Sequence, residues 1–380
     1  MRAVICGCGI AGLGLARLLV DIGWDVVAVE RSNHPRGGDY AIDLWGAGFD
    51  VAEALGAVPE LRRLALPIVE ATFVNGRGRR VAGVDYRQLR AVMRDRLVTV
   101  LRGDLERVLA DGLPNLADVR AGCTVRDFED MPPRLSVTLS DGTRLSTDLL
   151  VGADGAHSVI RSRAFGPPGE YGRYLGFHVA AYSFTDPDLR ARIGDRFWIP
   201  DAVGRFFALY GLPAGRIGVL AVHRSADRAA PPNPRSTLLQ VHGDLGRRVA
   251  NALERCPEAP DLYYDLAYQI EMSNWSCSRV VLVGDACGAL SLVAGQGASL
   301  ALAGARALAR ALAQVSDLET ALRLYQERML PVVRSRQAEG RRTAAWFVPS
   351  SPSRLRIRRT ALRTLDLPLV GPRLLPLVFG

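Results

Sequence analysis

The run Arg2-Ala-Val-Ile-Cys-Gly7-Cys-Gly9-Ile-Ala-Gly12-Leu-Gly14, followed by Asp25-Val-Val-Ala-Val-Glu30, decides how the chain begins. Residues 2–6 read as a strand. Residues 10–22 read as a helix packing through Leu13, Ala16, Leu18 and Leu19, with Gly23 stopping it where a left-handed cap suits glycine. Residues 25–30 read as a second strand, apolar enough to be covered on both faces as parallel strands are. In this βαβ unit Gly7 permits the tight turn, Gly9 lets the backbone approach a pyrophosphate, and Gly12 allows close helix–sheet packing. The helix start at Ile10 and Ala11 presents free N–H groups and a positive dipole end to a phosphate. Glu30, 18 residues after Gly12, is placed to accept hydrogen bonds from an adenosine ribose. The motif alone does not separate NAD from FAD.

Working outward, residues 34–48 read as a Gly-rich connection. Residues 49–55 and 59–64 read as helical, and 69–84 as paired strands turning at Asn75-Gly76-Arg77-Gly78. A helix is expected around 104–109 and a strand meander over 117–151, ending in the apolar strand 148–151. Residues 177–184, 206–212 and 217–223 read as strands of a mainly antiparallel sheet, hence a second lobe. A Pro-rich loop at 229–235 precedes a helix over 236–255 and a strand over 263–272. The apolar strand 280–283 should return to the first lobe. Helices are expected over 298–315 and 318–340, then a basic helix near 354–365 and a Pro-broken apolar tail.

Two further stretches sit at strand ends. Gly152-Ala-Asp154-Gly155-Ala-His157-Ser158 follows the strand 148–151, and an Asp-Gly there is often only a turn. Gly284-Asp285 follows the strand 280–283, and Gly295-Gln296-Gly297-Ala298 opens a long small-residue helix. Asp285 can bind a ribityl hydroxyl. The Gly-x-Gly of Gly295 and Gly297 permits close approach to a flat ligand, toward which the helix starting at Ala298 points its positive end.

With these three stretches in this order, the chain resembles the group A flavoprotein monooxygenases, the aromatic-hydroxylase fold shared with tetracycline-inactivating monooxygenases. The resemblance covers roughly residues 1–340. It implies an α/β chain with a Rossmann-like FAD-binding domain on a parallel sheet (1–68, 85–168 and 274–345). This would be interleaved with a mainly antiparallel substrate-binding domain (69–84 and 169–273), followed by a C-terminal helical tail (346–380). It further implies that Gly7, Gly9, Ile10, Ala11, Gly12 and Glu30 hold the FAD adenosine and pyrophosphate. Arg31 would sit beside that acid, and Arg102 and Leu105 would supply an Arg-x-x-Leu element at the flavin. Asp43 matches an acid of the tetracycline-enzyme segment and Arg36 an arginine just before it. Asp154 would serve the nucleotide side, and Gly284, Asp285, Gly295, Gly297 and Ala298 the ribityl chain and ring. NADPH or NADH would act as transient reductant, in line with the absence of a second Gly-x-Gly-x-x-Gly fingerprint, and O2 would supply one oxygen atom to an aromatic or polyketide-like small molecule. One departure stands out: the family's proline before the Gly-x-Gly is missing from Ala289-Leu-Ser-Leu292-Val-Ala-Gly295. It motivates a second reading, in which FAD is a scaffold for a non-redox cyclisation. A third is a flavin-binding module without catalysis.

On the second lobe His178, Tyr182, Phe206 and Tyr210 are candidates for the substrate pocket, as is Leu292 in the proline-less loop, although alternation along a strand permits core packing equally well. No residue stands out as a catalytic acid or base. The 380 residues carry 48 basic and 39 acidic side chains, a net charge of +9. Every basic residue is arginine, scattered and interleaved with acids, which argues against nucleic acid. Cys6 and Cys8 flank Gly7 too closely for a metal site, no cysteine lies in a CxxC pair, and no metal is expected. No apolar run is long enough for a spanning helix, so no stable membrane insertion is expected. The expectation is a cytoplasmic monomer or homodimer.

Overall fold

The computed structural model describes residues 1–33, 40–113, 115, 117–258, 261–291 and 295–365. The first third of the chain forms β1 (Arg2–Cys6), α1 (Ile10–Asp21), β2 (Asp25–Glu30), β3 (Ala41–Trp45), α2 (Ala47–Ala54), α3 (Val58–Arg63), β4 (Glu70–Val74), β5 (Arg80–Asp85), α4 (Tyr86–Val92), β6 (Leu97–Leu101), α5 (Arg102–Asp111) and β7 (Ala117–Ala121). The middle forms β8 (Val125–Met131), β9 (Arg134–Leu139), β10 (Arg144–Thr147), β11 (Leu149–Gly152), α6 (Val159–Phe165), β12 (Gly172–Thr185), α7 (Pro187–Ile193), β13 (Arg196–Pro200), β14 (Arg205–Gly211) and β15 (Arg216–Arg224). The remainder forms α8 (Pro234–His242), α9 (Arg247–Glu254), β16 (Tyr263–Ile270), β17 (Ser276–Cys277), β18 (Val280–Leu282), α10 (Asp285–Gly288), α11 (Gly297–Gln314), α12 (Leu318–Phe347) and α13 (Pro352–Leu365).

A six-stranded sheet runs β17-β18-β11-β1-β2-β7, parallel except at β17. Its central strands are buried along almost their whole length, as strands covered on both faces must be. On one side α1 packs against α11; a Cβ on Gly14 would come within 2.7 Å of Leu302 Cδ2, so glycine sets that approach. At the far end of α1, Gly23 takes φ +83° and donates its N–H to Val20 O at 2.9 Å, closing the helix. A seven-stranded sheet runs β16-β12-β15-β14-β13-β4-β5, antiparallel except where β13 meets β4. Strand pair β4–β5 and strands β12–β16 come from separate stretches of chain, so the two sheets alternate along the sequence. The architecture is therefore an α/β fold with a parallel sheet, an antiparallel sheet and C-terminal helices.

The structure corrects several expectations. The connection expected over residues 34–48 contains β3, whose partner β6 is buried at every residue and so shows no alternation in sequence. The meander expected over 117–151 is split: β7 joins the parallel sheet beside β2, while β8, β9 and β10 form their own antiparallel sheet. The single helix expected over 236–255 is two, α8 and α9. Gly246 between them sits at φ +110°, a value a helix cannot use. Helix α12 continues past residue 340 to Phe347. Strand β13 and helices α4 and α7 had no recognised sequence signal.

Candidate functional site

The two sheets face a shared cavity of about 2010 Å³. One end is built mainly from backbone. Gly7 turns the chain at φ +106° and donates its N–H to Val29 O at 2.8 Å. A Cβ on Gly12 would collide with the Gly7 carbonyl. A Cβ on Gly9 would meet nothing closer than Glu106 Oε1 at 3.4 Å, so this residue faces open cavity. Glu30 steadies the turn: its Oε2 accepts from Cys8 N–H at 2.9 Å and its Oε1 from Ser32 N–H at 3.1 Å. Each oxygen retains a lone pair for a ligand hydroxyl. Burial pushes the thiol of Cys6 up to about 11 and that of Cys8 up to about 12, so both stay protonated. Among the described residues no cluster could hold a metal ion.

The second loop meets the first at Ala153. Asp154 Oδ2 accepts from Val159 N–H at 2.7 Å and so caps α6, while Asp154 Oδ1 is buried with no protein donor. A buried carboxylate oxygen without a partner is costly, and a ligand hydroxyl or N–H supplies what it lacks. Gly284, at φ +66°, brings the third loop against α1, where a Cβ would lie 2.7 Å from that of Ala11. Arg161 ties the second loop to the third, and its role was missed in the sequence. It is buried and donates to Ala156 O at 2.6 Å and Ala286 O at 2.9 Å. Burial lowers its pKa, partly offset by Asp154. Arg161 lies three residues past the Gly152–Ser158 stretch, and only the fold shows that it reaches residue 286.

Gly295 and Gly297 both face open space, and α11 begins there with no side chain of the described residues capping its N-terminus. Its first N–H groups are therefore available to a ligand. Asp285, Arg31 and Ala298 line the same cavity. Arg102 lines it too, in a bidentate pair with Glu106 at 2.6 and 3.1 Å. Burial opposes its charge, but Glu106, Tyr40 and Asp285 outweigh burial and hold its pKa above the ordinary value. Gly12, Leu105 and Gly284 do not line the cavity but pack behind it. Asp43 lines it from β3, with Oδ1 accepting from Thr99 Oγ1 at 2.6 Å and Oδ2 from Tyr86 OH at 3.0 Å. Burial raises its pKa against these bonds and Arg90. Arg36 lies outside the described residues.

The other end is an apolar face of the seven-stranded sheet. Val179, Val222 and Phe206 are cross-strand partners and all line the cavity, as does Tyr210 further along β14. His178 and Tyr182 do not; both expectations are corrected. On β12 the face turned to the cavity carries Phe177 and Val179, in one apolar cluster with Leu175 packed against it, and the alternate residues point away from it. His178 turns to the reverse face, its ring centroid 6.3 Å from that of Tyr174. There its ring nitrogens lie 2.8 Å from Tyr264 OH and 3.0 Å from Asp227 O. Tyr182 is fully buried on that reverse face and donates to Ala252 O at 2.8 Å. Leu292 lies outside the described residues. The cavity's apolar end is closed by residues with no recognised sequence signal: Phe73, Ile199, Trp346, Phe347 and Leu362.

Comparison with known proteins accords with this geometry. Residues 1–338 match the FAD_binding_3 family, described as an FAD binding domain. The chain is 32% identical over 332 residues to the flavin-dependent monooxygenase eupH of Phoma sp., covering 81% of this chain and 76% of that protein. It is 28% identical over 323 residues to a flavin-dependent monooxygenase of Legionella longbeachae, covering 81% and 79%. Among solved structures, tetracycline destructase Tet(51) superposes with a TM-score of 0.81 at 24% identity, covering 95% of each chain. Klebsiella pneumoniae HpxO complexed with FAD and uric acid does so with 0.82 at 23%, covering 99% of this chain and 95% of that one. The relatives named for an activity are monooxygenases, which gives the non-redox cyclisation no support.

Proposed function

This chain belongs to the FAD binding domain family and is an FAD-dependent monooxygenase, and we propose that it uses NADPH or NADH and O2 to oxygenate an apolar aromatic or polyketide-like small molecule. The observation that carries this reading is one cavity joining the glycine-built loops to the apolar row Val179–Val222–Phe206. At about 2010 Å³ it exceeds the roughly 300–1,000 Å³ of an ordinary ligand pocket, as a site for a dinucleotide plus a substrate must.

The residues present fit FAD. In this reading Gly9, Ile10 and Ala11 face the pyrophosphate, Glu30 and Arg31 the adenosine, and Asp285 and the buried Asp154 Oδ1, which lacks a protein donor, accept hydrogen bonds from ligand hydroxyls. Gly295, Gly297 and Ala298 let the start of α11 approach the ring, where its dipole favours developing negative charge by about 0.3–1 kcal/mol. FAD when bound supplies the redox chemistry. The chain's own residues bind it, orient it and exclude water with the apolar sheet face. Arg102, held by Glu106, presents a fixed positive charge beside Gly9. The six free cysteines suit a reducing cytoplasm. In an assay with purified protein, FAD, NADPH or NADH and a panel of apolar phenols, reductant consumption and O2 uptake should rise together with an added phenol and yield an oxygenated product. Consumption indifferent to every phenol would argue against this substrate class.

A further inference from the structure

We propose that the corner where α12 meets α13 is a docking surface for an anionic lipid bilayer. Between Glu339 and Asp366 the chain carries seven arginines and no acid. Some of these hold the corner in place. Arg358 is buried and pairs with Asp201, which Arg359 joins at 2.7 Å. Arg358 also donates to Phe347 O at 2.7 Å, and Arg224 donates to Val348 O at 2.9 Å. The corner is thus a fixed feature.

What it presents outward is different. Arg354 and Arg356 are exposed and form no ion pair among the described residues. Ile357 shares the helix face of Arg354, three residues away, and is 62% exposed, more than any other large hydrophobic side chain described. Trp346 and Phe347, at the end of α12, are 39% and 37% exposed. Basic side chains around exposed Ile, Trp and Phe match a headgroup layer of negative charge over an apolar boundary. A second copy of the chain would set arginines against arginines, and a nucleic acid would leave Ile357 uncovered. Among the described residues no helix is long and apolar enough to cross a membrane, so the contact is peripheral.

Trp346 and Phe347 also line the cavity, so docking sets its apolar end beside the lipid. Delivery of a bilayer-partitioned substrate would follow, a consequence that rests on the proposed function; docking itself does not. The test therefore reads docking without turnover. Purified full-length protein is sedimented with vesicles of phosphatidylglycerol mixed with phosphatidylcholine, and with phosphatidylcholine alone. The expected result is co-sedimentation with the anionic vesicles only, weakened by salt. It should fall by about tenfold or more in the Arg354→Glu/Arg356→Glu variant, and fall also in Ile357→Asp, with circular dichroism unchanged. Wild-type protein left in the supernatant, as when residues 366–380 or a second copy cover the corner, would overturn the proposal. So would variants that sediment like wild type.

Discussion

The two ends of the cavity are made of different material. At the dinucleotide end, the shape comes from glycines and backbone: Gly7 at φ +106°, Gly12 against a carbonyl, Gly284 against Ala11, and an uncapped helix start at Gly297. At the apolar end it comes from side chains on strands, where the face a residue occupies depends on register. The first kind of surface tolerates almost no added atom. The second tolerates exchange of one apolar side chain for another, which is how one scaffold accommodates many substrates.

That contrast can be broken most severely at Gly12. Gly12→Val places side-chain atoms into the Gly7 carbonyl, and we expect flavin content after reconstitution to fall more than about tenfold. Absorbance of the gel-filtered protein measures it, and a wild-type flavin ratio would show the turn to be forgiving.

The reverse face of the antiparallel sheet gives the next effect, a dependence on pH. His178, His223 and His242 form a row there in tilted and edge-to-face contact, with ring centroids 5.3 and 5.5 Å apart. Burial, then His178, lowers His223 from 6.5 to about 4. Burial, then His223 and Arg205, lowers His242 to about 3, with Asp244 acting in the opposite direction. Tyr264 and the Asp227 carbonyl face the third histidine. Both depressed histidines are neutral when folded but take up a proton when unfolded below pH 6.5. Their contribution to stability is therefore intact above that pH and lost as pH falls from 6.5 toward 4, at on the order of 1 kcal/mol per histidine per pH unit. Urea midpoints at neutral and mildly acid pH should show this slope, and His242→Phe should flatten it.

Smaller effects sharpen the comparison between the sheet's two faces. Phe206→Ala removes cavity lining, so KM for an apolar substrate should rise by roughly tenfold with flavin content unchanged. Tyr182→Phe removes only the bond to Ala252 O on the reverse face. It should cost about 1 kcal/mol in chemical denaturation and leave KM alone. If instead Tyr182→Phe shifts KM and Phe206→Ala does not, the assignment of faces is wrong.

The same difference in material explains what could be read in advance. The βαβ unit was legible because Gly7, Gly9 and Gly12 each answer a steric demand at fixed spacing, and the loops at Asp154 and Gly284 because they sit at the ends of apolar strands. The apolar end was half legible. Phe206 and Tyr210 fall on the cavity face of β14 as expected, but on β12 that face has the parity of Val179 rather than of His178 and Tyr182, and alternation alone does not say which parity faces inward. Strand β6 was invisible because it is buried on every side. The reach of Arg161 to Ala286, and the closure of the cavity by Trp346 and Leu362, depend on contacts between distant stretches of chain.

The most direct test of the account follows the oxygen. An apolar aromatic substrate that stimulates NADPH or NADH oxidation would be turned over under isotopically labelled dioxygen, and the product analysed by mass spectrometry. The account predicts one labelled oxygen atom in the product, matched to reductant consumed and O2 taken up. Conversion of the substrate without O2, or a product free of label, would contradict it.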